Sequence, residues 1–381
     1  EIASCLVGSE MCIRDRGWLL YAIFFTGTLS FFRDEINDWM QPELHRSVSS
    51  PDAWQRVLEI MSQIAPGAAH WTLDLADSRH LAVRASWSLP GAGADRKAVQ
   101  RADLDAGTGA VLHPRATSGG DFFYNFHFRL YGIPRSLGRW IVGVAAMVML
   151  VALVSGVITH RRIFADLFTF RPRKGPRSWL DAHNALAVLA LPFHIVITFS
   201  GLLLLMFTLI PWGPQAAYQG DERRFRAALN RSNVVEQDIA STRGDVAPGQ
   251  TSAYAALAPL LSQANQAWPR GVGSIRIDHP GTADARIVLR ERWANRLTAP
   301  ETASRGLVFD AITAEPIGRL DVTPRGPAET VYQVLLAIHL GRFADPVLRW
   351  LLFLCGVSGT LMAGTGLALF VVKRHPAPVS Y

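Results

Sequence analysis

Eleven histidines stand among the 381 residues, and three of them, His160, His183 and His194, lie in or at the ends of long apolar stretches. An ionisable group at membrane depth is expensive enough to be functional by default, and a neutral imidazole is a good metal ligand. His183 and His194 are 11 residues apart, which on one straight helix is about 16.5 Å of rise and about 20° past three full turns. They would then share one face at two depths. His127, in Phe126-His-Phe-Arg-Leu-Tyr131, and His339, in Ile338-His-Leu-Gly-Arg342, each stand just before an apolar stretch, at comparable places in the chain. That symmetry suggests an outer ligand pair or a site near the exit for electrons. Plainer readings stand beside these: His160 and His183 border a basic connector and could be interfacial or pair with Asp181, and His127 and His339 could pack on a bilayer surface. His45, His70, His80, His113, His279 and His375 are scattered through polar segments and read as solvated.

The elements that must position these side chains follow from where charge is missing. The chain is 49% hydrophobic and 18% charged with a formal net charge of +7, which rules out a disordered protein. Trp140 to Thr159, Ala182 to Gly220 and Trp350 to Val372 hold no Asp, Glu, Lys or Arg, and each is long enough to cross a hydrocarbon core of about 30 Å. Gly17 to Phe32 is as apolar but short. Four membrane spans are expected, over 17–33, 136–160, 182–212 and 347–372. The connector 161–181 carries Arg161, Arg162, Arg171, Arg173, Lys174 and Arg177, and the tail 373–381 carries Lys373 and Arg374. By the positive-inside rule these face the cytoplasm, and the long segments 34–135 and 213–346 face outward. The basic balance is therefore a matter of topology. No basic stripe marks either outer segment, so no nucleic-acid partner is expected.

Residues 1–16, with Cys5 and Cys12, have neither signal-peptide order nor a helix face and read as a translated sequencing-adapter artefact. On that expectation the first span has lost its cytoplasmic half, and Cys355 is the cysteine left to consider, which gives no disulfide framework.

The chain also repeats itself. Thr26-Gly27 in the first span aligns with Ser200-Gly201 in the third, and Leu153-Val-Ser-Gly156 with Gly356-Val-Ser-Gly359. Between the spans, a helical stretch Trp54 to Ile64 precedes the alternating runs Trp71 to Leu75 and Leu81 to Trp87; Tyr254 to Ala267 likewise precedes Ile275 to Ile277 and Ala285 to Leu289. Each ends in a strand and turn, Leu104 to Leu112 against Phe309 to Ile317. Alternation and turn residues argue for small helix-plus-antiparallel-sheet modules. The expected fold is a membrane α-helical bundle of four transmembrane helices in a parallel two-fold repeat, with two extracytoplasmic α+β modules.

His160-Arg-Arg-Ile-Phe-Ala-Asp-Leu-Phe-Thr-Phe-Arg-Pro172, Ser178-Trp-Leu-Asp-Ala-His-Asn184 and Leu191-Pro-Phe-His194 resemble the PepSY-associated transmembrane family, the iron-regulated membrane proteins that include ferric-siderophore reductases. The resemblance covers nearly the whole chain from Gly17. It implies PepSY modules outside the bacterial inner membrane, both termini in the cytoplasm, b-type haem on membrane histidines, and electron transfer to a ferric siderophore. Haem iron would take axial ligands from His194, His183, His160, His127 and His339, with two haems in the intact protein. Family members often carry a second histidine one turn after the first in the approach to the second span; here that residue is Tyr131. They also carry a histidine near position 9, the repeat counterpart of His183, which is Ser9 here, so one haem is expected to be lost. No GxGxxG follows a strand, so the electrons would come from a cytoplasmic partner or a quinol. The alternative reading is a membrane-anchored PepSY regulatory or binding protein without redox activity.

Overall fold

A computed structural model describes residues 17–47, 53–77, 79–91, 98–159, 173–210, 212–221, 224, 234–237, 257–292, 297, 304–322 and 326–374. Helix α1 (17–29) passes through a 3-10 turn into α2 (Arg33–Met40), and α3 spans Ala53–Ile64. Strands β1 (His70–Asp74), β2 (Val83–Ser88), β3 (Gln100–Leu104) and β4 (Val111–Leu112) follow. Helices α4 (Gly119–Arg129), α5 (Arg135–Thr159), α6 (Pro176–Leu189), α7 (Leu191–Leu204), α8 (Met206–Leu209) and α9 (Trp212–Tyr218) come next. The remainder is β5 (Val234–Gln237), α10 (Leu257–Ala267), β6 (Val272–Asp278), β7 (Arg286–Glu291), β8 (Gly306–Asp310), β9 (Pro316–Val322), α11 (Pro327–Leu340) and α12 (Pro346–Arg374). Two compact units result: a helical one from 1–33, 118–229 and 331–381, and a sheet unit from 34–117 and 230–330.

In the helical unit, α5 and the stretch Pro346–Val372 of α12 are each long and apolar enough to cross a membrane. The third expected span is broken: α6 and α7 pass the same test only as a pair, bent by 70°. The cause lies in the sequence Ala190-Leu-Pro192. Pro192 has no N–H to give the preceding turn and its ring crowds the carbonyl four residues back, and Ala190 leaves helical geometry at φ −115°, ψ 24°. The expectation of one straight helix over 182–212 is therefore corrected. Helix α1 has 13 described residues, a rise of about 20 Å, short of a crossing. Among the described residues, length and composition thus give two or three spans where four were expected. Trp39, Trp140, Trp179, Trp212 and Trp350, whose places near helix ends suit aromatic interfacial anchors, are all exposed.

Among the described residues the sheet unit forms a nine-stranded antiparallel sheet in the order β4-β3-β2-β1-β6-β7-β8-β9-β5. The two expected modules are its halves, joined where β1 pairs with β6 in the register His70↔Asp278, Thr72↔Arg276 and Asp74↔Ser274. One hydrophobic core serves both halves. Trp71 and Leu73 of β1 lie in it with Ile275 and Ile277 of β6, and it also takes Val57, Leu58 and Met61 of α3 and Leu257, Leu260 and Leu261 of α10. Buried Trp71 satisfies its indole by donating to Ala65 O at 3.1 Å. The turn at Gly107-Thr-Gly109 is a hairpin turn, as expected: Asp105 Oδ1 accepts from Gly107 N and Thr108 N at 2.9 and 2.6 Å. Asp310 repeats the device on Ile312 N and Thr313 N, both at 2.8 Å. A charged cluster closes one end of this unit. Arg79 bridges Asp34 at 2.7 Å and Glu35 at 3.0 Å, while Arg292 reaches Asp77 at 3.2 Å. Burial pushes the Asp77 carboxyl up, but the His80 side chain and the backbone N–H groups of Arg79 and His80 outweigh it and hold the carboxyl well below the ordinary range.

Candidate functional site

His127 on α4 and His339 on α11 meet in the helical unit, with ring centroids 6.0 Å apart and planes 34° from parallel. His127 Nδ1 donates to Ile23 O at 2.8 Å, and His339 Nδ1 donates to Ile197 O at 3.0 Å. Each ring lies on a glycine. A Cβ on Gly27 would stand 2.6 Å from His127 Cε1, and one on Gly201 would stand 2.9 Å from His339 Cε1. The neighbouring hydroxyls match too, since Thr26 Oγ1 donates to Ala22 O and Ser200 Oγ to Val196 O, each at 2.7 Å. Ser200 Oγ also stands 3.0 Å from His339 Nδ1. With Nδ1 carrying the proton toward a carbonyl, the lone pair of each imidazole is on Nε2.

The other two described histidines of the helical unit pack against α12. His183 Nδ1 donates to Met362 O at 2.9 Å, beside Gly366, whose added Cβ would lie 3.3 Å from His183 Cε1. His194, fully buried, sets Nε2 3.4 Å from Cys355 O and 3.1 Å from where a Gly359 Cβ would be. Phe24 meets its ring edge-on at 5.9 Å. His194 Nδ1 is buried without a hydrogen-bond partner among the described residues. The bend between α6 and α7 removes the shared helix face that the spacing implied. Both imidazoles nonetheless meet α12, at glycines seven residues apart, about 10.5 Å of helix rise. His160 lies outside the described residues.

A family model described as PepSY-associated TM region matches residues 16–373. The chain belongs to that family. It is a PepSY-associated membrane protein with an antiparallel-sheet region. A comparison with curated proteins finds no match.

One local rule accounts for all four histidine seats of this PepSY-associated protein. Each imidazole rests on a glycine and turns a nitrogen to the carbonyl four residues before it: Ile23 with Gly27, Ile197 with Gly201, Cys355 with Gly359, Met362 with Gly366. Helical side chains tilt toward the N-terminus and cover the turn before their own Cα. Glycine leaves that carbonyl open to a second donor. Gly27 and Gly201 mark the repeat in the sequence; Gly359 does so as well, while the part of Gly366 is visible only in the structure. At Gly156, the repeat partner of Gly359, an added Cβ would meet nothing within 4 Å, and the repeat position of His194 is Leu20. Among the described residues no three His, Cys, Asp or Glu side chains converge on one point. The arrangement offers imidazoles singly or in a pair.

Proposed function

We propose that this protein is a haem-b electron-transfer protein of the bacterial inner membrane that reduces a ferric siderophore on the outer side during iron uptake. The observation that carries the reading is the His127/His339 pair: two rings 6.0 Å apart, each seated on a glycine with Nδ1 tied to a carbonyl. With each Nδ1 tied to a carbonyl, Nε2 of His127 and Nε2 of His339 are the atoms that would hold the iron. A pair of imidazoles suits a macrocycle that brings its own four nitrogens and asks the protein only for axial ligands. Buried His194, set against α12 beside Gly359, is the residue that supports a second site. His183 is the other inner candidate.

Haem b, if bound there, would supply a one-electron iron couple. The chain's own residues then hold and orient: the carbonyls of Ile23 and Ile197 fix the ring tautomers, and the apolar helices exclude water. Topologically, α1 completes a four-helix bundle, the connector 161–181 faces the cytoplasm and an electron donor there or a quinol in the bilayer, and the sheet unit faces outward.

A visible spectrum of the purified membrane protein tests this. A reducible Soret and α band is expected, and His127→Ala or His339→Ala lowers haem per polypeptide while the fold persists. A folded, colourless protein overturns the reading and favours an anchored binding module without redox activity.

A further inference from the structure

The sheet face opposite the Trp71/Leu73/Ile275/Ile277 core carries His70, Thr72 and Asp74 from β1, because residues two apart share a face. Strand pairing fixes their neighbours. Thr72 lies between Ser86 and Arg276, His70 between Ser88 and Asp278, and Arg290 stands across from Ser274. Arg276 is held by Asp278 at 2.7 Å. Arg290 is half-buried in the strand and has no hydrogen bond or ion pair among the described residues. Burial, and then the neighbouring Arg276 charge, push its guanidinium below the usual arginine value against the opposing pull of the Asp278 carboxylate, and the same three influences act on His70.

The register shows how unusual this is. With Thr72 opposite Arg276 at the middle of the β1–β6 pairing, these two residues hold equivalent places in the two halves, and so do Ser88 and Arg290. Asp74 and Asp278 are equivalent by the same count. The second half therefore replaces two small hydroxyl residues with arginines, and Asp278, already held by Arg276 at 2.7 Å, is the carboxylate that acts on both. One carboxylate shared between two partly buried guanidiniums leaves positive charge that is costly to withdraw from water, and the planar fork of a guanidinium matches carboxylate geometry.

We propose that Arg276 and Arg290, with the hydroxyls of Thr72 and Ser274 and the His70 ring, form a binding site for a small, multiply anionic oxygen-donor molecule. Resting on the reductase reading for the identity of that molecule, the site selects ferric chelates whose ligands leave the complex negatively charged. The arginines take carboxylate oxygens, and the hydroxyls donate to the oxygens between them.

Equilibrium binding of ferric citrate to the full-length protein in lipid nanodiscs tests the proposal. Binding is expected to weaken with added salt and to fall about tenfold or more in the double variant Arg276→Gln/Arg290→Gln. Arg101→Gln, on an exposed residue separated from Arg276 by two intervening strands, should leave it unchanged. A positively charged ferric trihydroxamate should bind more weakly than ferric citrate. Equal affinity of the wild-type protein and the double variant, at an unchanged melting temperature, overturns the site, as does tighter binding of the cationic chelate. The visible spectrum is read on the same samples. Arginine-dependent binding to a colourless protein keeps the site and rejects the reductase reading, whereas a haem spectrum with arginine-independent binding does the reverse.

Discussion

Single atoms decide the histidine seats. Adding one methyl group to Gly27 or Gly201 puts a carbon inside the van der Waals radius of the imidazole above it, at 2.6 and 2.9 Å, and covers the carbonyl that the ring uses. Overpacking of this kind costs about 1–3 kcal/mol. Gly27→Ala and Gly201→Ala should each lower the melting temperature and the haem content together, whereas Gly156→Ala, with open space around it, should leave haem content unchanged and the helix as stable or slightly more so. Equal behaviour of the three variants in a thermal scan with absorbance readout would reject the seat. In the sheet unit, the depressed Asp77 carboxyl stabilises the fold above the ordinary aspartate range, and that stabilisation is lost as the pH falls through its lowered folded value. Asp77→Asn is accordingly expected to melt below the wild type at pH 7, the gap closing in strong acid; a gap constant with pH would contradict the assignment. At this scale the sequence showed the pairing of His127 with His339, since both precede a span in a repeated context. It did not show the asymmetric seats on α12, which depend on which helix packs against α6.

Among the elements, the break between α6 and α7 governs how far apart His183 and His194 lie. Arithmetic on a straight helix placed both on one face, and Pro192, visible in the sequence, is the residue that invalidates it. Replacing the proline restores an N–H to the turn. Pro192→Ala should therefore relax the 70° bend, moving spin labels at Arg177 and Leu203 toward the separation of about 39 Å that a continuous helix gives. Pulsed electron resonance on the reconstituted protein measures that distance, and a distance unchanged by the substitution would assign the bend to packing against α12. Strand and helix positions in the sheet unit were read closely from alternation: Trp54 to Ile64 was expected and Ala53–Ile64 is found, and Trp71 to Leu75 corresponds to His70–Asp74. Alternation describes one strand at a time. Pairing of β1 with β6, some 200 residues away, leaves no local pattern to read.

At the level of the whole molecule, duplication turned two modules into one sheet with a shared core. Because Leu73 and Ile275 contribute to the same buried cluster and pair directly, damage in one half should propagate to the other. Leu73→Ala is expected to cost about 2–5 kcal/mol and to lower hydrogen-exchange protection in β7 and β8 together with β2. Loss confined to β1 and β2 would mean that the halves unfold independently. The repeat was legible in the sequence as two modules in tandem, and what it could not convey is that the modules complete each other.

The β1–β6 pairing has a consequence for ancestry. Its register is self-complementary, since each strand meets the other's equivalent residue at its midpoint. A chain carrying only one repeat would expose that strand as a sheet edge ready to pair with a second copy, giving an isologous dimer through the same contacts. Two identical subunits must carry the same residue on both sides of the symmetry axis. Joining them in one polypeptide lifted that constraint. The second half became free to place Arg276 and Arg290 where the first keeps Thr72 and Ser88, and His194 where the first keeps Leu20.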